Sequence, residues 1–325
     1  MVTTGTPRLH RLPVGGQGPE DVAVRGDRII TGVADGRLLS VSPDGAQVDL
    51  VADTGGRPLG IEVMPDGRLV VCDAKRGLLR VDPAVGSVDA LTGTIAGEPL
   101  TFCNNAAVTA DGTIYFTDSS RRYGLDHYQA DVVERTGTGR LLRRDATGGV
   151  QVLLDHMEFA NGVALADDET FVAVAETGAG RVRRVWLSGP RAGESDVLID
   201  DLPGMPDNLS TGADGRIWIA IPVPRVRALQ LVRRTPRPAR KLVGRVASGV
   251  SNPPMAAARV LAIDRDGTPV VRMTCSRRCG YRMVTGVREY DGSLYLGSLS
   301  EEAIACISPV PSAPTEQLIT IDPHR

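Results

Sequence analysis

The feature that most constrains this chain is a unit that recurs six times: a tight turn at Asp-Gly or its equivalent, followed by an alternating run of β-branched or aromatic residues. It is read at GDRIITGV from Gly26, PDGRLVVCD from Pro65, ADGTIYFTD from Ala110, DDETFVAVAE from Asp167, ADGRIWIAI from Ala213 and YDGSLYLGS from Tyr290. Asp-Gly flanked by alternating apolar positions is a hairpin signal. A short apolar strand precedes each turn (EDVAV, LGIEV, NNAAV, NGVAL, DNLST, TGVRE), and several units continue into a third strand, as in GRLLSVSPDG and GLLRVDPAVG. The expectation is an all-β chain, with residues 1–325 forming a single six-bladed β-propeller around a central metal site.

No segment sustains a helical period, which disfavours βαβ folds. A propeller must close its first blade on its last, and Pro7 to Pro13 is the natural extra strand for the blade containing Ala303 to Ser308. Two breaks in the spacing, about 119–136 and 225–258, read as insertions over one face.

Composition narrows the function classes. Hydrophobic residues at 42% and charged residues at 23% describe a chain that folds around a sizeable core. The net charge of −2, with both signs mixed along the chain, leaves no electrostatic footprint for nucleic acid. The basic run Arg233 to Lys241 reads as a solvated loop. No apolar stretch reaches the roughly 18 residues that a membrane span requires, and the first residues lack an apolar segment of signal-peptide length. The expected setting is therefore cytoplasmic, with a small-molecule substrate, no nucleic acid and no membrane partner; the oligomeric state is open. Five cysteines at irregular spacing argue against a disulfide framework, and Cys275 with Cys279 lacks the second Cys/His pair of a structural zinc site. No nucleophile elbow, P-loop or dinucleotide fingerprint occurs.

Aligning the units on their turns locates the candidate site. Counting back seven residues from Asp27, Asp66, Asp111, Asp168, Asp214 and Asp291 gives Glu20, Leu59, Asn104, Asn161, Asp207 and Val284, four of them oxygen donors. Equivalent positions converge on the tunnel mouth, where carboxylates and amides are costly to desolvate without a cation. Two carboxylates and two amide oxygens suit Ca2+, with Mg2+ or Mn2+ as alternatives and Zn2+ less suited for want of His or Cys. The competing account makes these residues turn-entry caps. His127 and Tyr123, in the first insertion, are either acid/base groups or surface residues, and His156 reads as an exposed loop residue. Glu176 either faces the tunnel or pairs with Arg181 or Arg183, Asp118 is a candidate supporting carboxylate, and Trp186 and Trp218 read as blade packing.

Taken together, GPEDVAV, RPLGIEV, FANGVAL, VAETG, LPGMPDN and YLGSL resemble the bacterial strictosidine synthase-like branch of the superfamily that includes SMP-30/gluconolactonase, paraoxonases and diisopropyl fluorophosphatase, from about Gly18 to Ser308. For the hydrolytic relatives the resemblance implies a catalytic calcium held by residues that fall on Glu20, Asn104, Asn161 and Asp207, with Asn208 as a further ligand or support. It also implies Lewis-acid polarisation of a carbonyl or phosphoryl oxygen, with Asp207 activating water. The chain departs from the pattern at Asn105, where the family usually has Asp, at Leu59 in place of a paraoxonase His, and at Phe102 in place of a gluconolactonase Arg. Thr285 replaces the Glu of the plant alkaloid enzyme, which argues against Pictet–Spengler condensation. The expected function is a calcium-dependent hydrolase of lactones or other esters. The alternatives are a secondary-metabolism enzyme of condensation, cyclisation or isomerisation, and a non-catalytic small-molecule-binding propeller.

Overall fold

Every repeated turn closes the first hairpin of one antiparallel sheet, and six sheets of four or five strands result in the computed structural model, which describes residues 7–225, 227–247, 259–275, 280–310 and 315–321. The innermost strands of blades 1 to 6 are Val22–Arg25, Pro58–Val63, Cys103–Val108, Ala160–Leu165, Leu209–Thr211 and Val284–Tyr290. Within each blade the second and third strands follow outward in chain order, across short connections except where the insertions intervene in blades 3 and 5. Arg8–Pro13 pairs antiparallel with Ala303–Ser308, from Arg8 opposite Ser308 to Pro13 opposite Ala303, so the N-terminal strand closes the ring as expected. Blade 5 gains a fifth strand, Thr315–Ile321, parallel to Pro269–Cys275. No Asp-Gly turn precedes that segment, so the repeat pattern carried no sign of it.

The core lies between blades rather than within any one of them. Trp218, Val287, Leu296 and Tyr281 fill the space between blades 5 and 6, while Val70, Cys72, Ile114 and Phe116 fill that between blades 2 and 3. Trp218 is fully buried and its indole N–H donates to Glu289 Oε2 at 2.7 Å. Trp186 stacks edge-on against Phe171 at 5.6 Å between ring centres. Both tryptophans serve packing, as the sequence suggested.

The insertions carry helices that the sequence reading did not anticipate: α1 (Tyr128–Glu134), α2 (Arg227–Arg233) and α3 (Arg237–Ala247). The basic run read as a solvated loop spans the end of α2 and the first part of α3, and Arg233 turns inward to an ion pair with Glu158 at 2.5 Å. Pro236 and Pro238 had suggested a loop, but proline at the very start of a helix forfeits no hydrogen bond. Helix α1 packs on α3, and Val132, Tyr128 and Leu229 from α1 and α2 meet Leu59, Phe102 and Phe159 of the propeller, so these helices roof one face. Residues 226 and 248–258 of the second insertion, and Cys279 of the cysteine pair, lie outside the described residues. Among the described residues no helix is long and apolar enough to cross a membrane.

Candidate functional site

Each ring residue sits at or just before the start of an innermost strand, where the blades crowd the tunnel. Glu20, Asn104 and Asn161 are only 3%, 4% and 3% exposed, while Asp207 keeps partial access to solvent. The Asn208 amide donates to both oxygens of Glu20 at 3.2 and 3.3 Å, and Asn161 hydrogen-bonds the Asp207 carboxylate. Asn104 is oriented by donating its Nδ2 to Ser119 Oγ at 2.9 Å.

These bonds spend the amide nitrogens and leave the oxygens. Oδ1 of Asn104, Asn161 and Asn208 is in each case buried without a hydrogen-bond partner. A buried polar atom left in that state costs about 1–3 kcal/mol, so three amide oxygens at equivalent or adjacent positions of the ring call for a common partner. Residues serving as turn-entry caps would spend their side-chain oxygens on nearby backbone N–H groups, and these three do not. Among the described residues no group of three or more His, Cys, Asp or Glu side chains gathers. The donors on offer are two carboxylates and three amide oxygens, a set that fits a hard cation such as calcium and gives zinc none of the ligands it prefers.

One position further along, the blades supply Asp21, Gly60, Asn105, Gly162, Asn208 and Thr285. In blades 2, 3, 4 and 6 the innermost pairing shifts register at these positions, between Pro58 and Ile61, Cys103 and Ala106, Ala160 and Val163, and Val284 and Val287, whereas Glu20-Asp21 and Asp207-Asn208 lie ahead of the strands Val22–Arg25 and Leu209–Thr211. Such a bulge re-aims side chains that strict alternation would send to opposite faces. Asp21 is the carboxylate that sequence reasoning missed, though its place beside Glu20 repeats the pattern of Asn104-Asn105 and Asp207-Asn208. It accepts from Ile61 N–H at 3.1 Å and from Asn105 Nδ2 at 3.3 Å, while Asn105 Oδ1 accepts from Val163 N–H at 2.9 Å. An amide can both donate and accept in this way; an Asp at 105 would set a second carboxylate against Asp21. Thr285 donates to the Glu20 carbonyl at 2.7 Å, and Arg288, paired with Glu62 at 2.8 Å, supplies positive charge that moderates Asp21.

The remaining candidates divide. Leu59 and Phe102 join Phe159 in the apolar roof, with Phe102 and Phe159 edge to face at 5.4 Å. Asp118 pairs with buried Arg140 at 2.9 Å and accepts from Phe102 N–H at 2.9 Å, so it holds the chain entering the site. Glu176 does not face the tunnel: it pairs with Arg181 at 2.7 Å and accepts from Glu158 N–H at 2.8 Å. Tyr123 donates to Glu134 at 2.7 Å within the roof, and His127 is exposed. His156 is exposed but belongs to the strand Val150–Met157, not to a loop, because that outer strand runs on to pair Met157 with Gly139.

Crowding carboxylates here has an electrostatic cost. Burial, then repulsion from Asp207 and Asp21, pushes Glu20 well above the usual carboxylate range. Burial raises Asp207 to about 7 against its bond from Asn161, and raises Asp21 to about 6 against Arg288. Groups that bind protons more tightly when folded contribute stability below their unfolded values, near pH 4, and lose it as pH climbs through 6 to 7. Metal-free protein is thus expected to soften over that window. A cation selects the ionised carboxylates, so calcium should raise the melting temperature by roughly 5 °C at pH 8 and far less at pH 5. Melting curves with and without calcium check this, and equal shifts at both pH values would count against it.

The comparisons with known proteins agree with this architecture. The strictosidine synthase family model matches residues 104–190, and the model for the N-terminal part of strictosidine synthase-like proteins matches residues 8–41. The chain is 41% identical over 221 residues to the adipocyte plasma membrane-associated protein of Rattus norvegicus, a match covering 62% of this chain and 58% of that protein; it thus spans little more than half of this relative's length. It is 34% identical over 289 residues to strictosidine synthase-like protein 6 of Arabidopsis thaliana, covering 86% of this chain and 76% of the relative. A solved gluconolactonase from Xanthomonas campestris superposes with a TM-score of 0.68 at 18% identity, over 94% of this chain and 90% of that one, a likeness of fold. With the six-bladed ring on one side and these matches on the other, the chain belongs to the strictosidine synthase-like family.

Proposed function

We propose that this protein is a calcium-dependent hydrolase of lactones or other esters. The observation that carries the reading is the set of three buried, partnerless amide oxygens beside two carboxylates whose ionisation the fold opposes. Glu20, Asn104, Asn161 and Asp207 would hold the ion, with Asn208 both bracing Glu20 and offering its own oxygen. Calcium bound there supplies a Lewis acid for the scissile carbonyl oxygen.

The chain's own groups do the rest. Asp207, alone among the donors in keeping solvent access, is the base that takes a proton from water. The water oxygen bonds to the carbonyl carbon, the ester C–O bond breaks, and the proton held by Asp207 passes to the departing alkoxide. An ester then yields acid and alcohol, and a lactone yields a hydroxy acid. Phe102, Phe159 and Leu59 shield this chemistry from bulk water and receive the apolar part of the substrate. The gluconolactonase likeness supports the fold's suitability for such chemistry. The same reading keeps a cytoplasmic setting and a small-molecule ligand.

The test measures bound metal and the hydrolysis of aryl esters and lactones before and after chelation. Calcium near one ion per chain, with activity lost on chelation and restored by calcium, is the expected result. Tight metal without turnover would favour a binding propeller, and no metal with no turnover would defeat the reading.

A further inference from the structure

Two residues ahead of the donor ring, the equivalent positions are Gly18, Arg57, Phe102, Phe159, Met205 and Arg282. Contacts between neighbours bear out the alignment: Phe102 meets Phe159, and Arg57 Nη2 donates to the Gly18 carbonyl at 2.9 Å. This upper ring is split. Blades 3 to 5 contribute an apolar wall, while blades 6, 1 and 2 contribute two guanidinium groups separated by a glycine.

Arg57 is 5% exposed, and its Nη1 is buried with no hydrogen-bond partner. The carboxylates whose charge it feels most are Glu20 and then Asp73. Asp73 is already engaged by Thr54 Oγ1 at 2.8 Å and by the N–H groups of Lys75 and Arg76 at 2.9 and 3.0 Å. Glu20 is held by Asn208. A guanidinium is a rigid fork that matches a carboxylate through two parallel bonds, and here one prong is spent while the other is free. Gly18, at φ +64°, leaves room for the guanidinium itself: a Cβ there would stand 3.2 Å from Arg57 Nη2 and 3.0 Å from the Leu299 carbonyl.

We propose that Arg57 binds an anionic oxygen of the substrate, so that the site selects amphiphilic esters or lactones bearing a carboxylate, with the carboxylate on Arg57 and the apolar body against Phe102 and Phe159. This substrate class rests on the hydrolase reading for its turnover but not for its binding. Were Arg57 only a counter-charge for Glu20, removing it would alter calcium affinity and treat charged and neutral ligands alike.

The experiment has two arms on the calcium-loaded full chain. In the first, mono-para-nitrophenyl glutarate is compared with neutral para-nitrophenyl pentanoate. Arg57→Met is expected to raise KM for the glutarate about tenfold or more while leaving the pentanoate within about threefold, with Arg57→Lys recovering part of the difference. In the second, calorimetry compares phenylbutyrate with phenylbutanol. The acid should bind wild type and weaken about tenfold in Arg57→Met, and the alcohol should not distinguish the two. If Arg57→Met does not fold, Arg57→Lys carries both arms, keeping the charge but not the fork, with a loss of about threefold or more for the acid alone. Equal losses for charged and neutral ligands, or phenylbutyrate failing to bind wild type, would overturn the proposal. Absence of ester turnover with the calorimetric contrast intact would remove the hydrolase reading and leave Arg57 in place.

Discussion

Asp207→Asn is expected to lower kcat by about two to three orders of magnitude while the protein stays folded and continues to bind calcium, though more weakly. Asparagine keeps an oxygen at nearly the same place, so one donor to the ion survives. What disappears is a group able to take a proton. In the metal-free protein the same change removes a carboxylate whose ionisation is opposed by burial and by Asp21. Metal-free Asp207→Asn should therefore melt no lower than wild type at pH 8, where the native carboxylate is charged and repelled. Calorimetric calcium titration, melting curves and steady-state kinetics on one preparation separate the roles. Activity within about fivefold of wild type would exclude Asp207 as the base, and a lost melting transition would make it structural instead.

Gly162→Ala should damage the molecule more than its single methyl group suggests. A Cβ at this position would stand 2.3 Å from Leu209 N, 2.4 Å from the Asp207 carbonyl oxygen and 2.6 Å from the Asn208 carbonyl carbon. All three are backbone atoms, so no side chain can swing aside. They also belong to the segment that carries Asp207 and Asn208. The neighbouring blade must move outward, at a cost of about 3 kcal/mol, which corresponds to a melting temperature lower by roughly 5–10 °C. Calcium binding should weaken with it, because Asp207 and Asn208 move away from Glu20, Asn104 and Asn161. Gly93→Ala is the control, since a Cβ there meets nothing within 4 Å. It should be neutral or slightly stabilising. A Gly162→Ala protein that melts within about 1 °C of wild type would show that the blades are not packed this tightly around the tunnel.

The helices of the roof and the strand Thr315–Ile321 escaped the sequence reading for a common reason: neither carries the turn-and-alternation signal that marks the blades. Helix α1 is seven residues long, too short for a helical period to declare itself, and it is held by packing against α3 and the propeller face. The ion pair of Glu176 with Arg181 was one of the alternatives the sequence offered, but the choice among them, and the pair of Asp118 with Arg140, were out of reach, because which end of a strand meets which neighbour is a matter of register.

From the amino-acid order alone come the six blades, the closing strand Arg8–Pro13 and the equivalence of Glu20, Asn104, Asn161 and Asp207, because a repeat forces equivalent residues onto one axis. Three-dimensional packing alone decides which atoms that axis presents. Register shifts at the heads of the innermost strands of blades 2, 3, 4 and 6 let two successive residues turn to the same side, while Asp21 and Asn208, just ahead of the strands Val22–Arg25 and Leu209–Thr211, are held beside the ring by bonds to Asn105 and Glu20. The hydrogen bonds between blades then decide which amide atoms are spent and which stay free. Both depend on how closely the blades approach one another, a distance governed by contacts between residues far apart in the chain.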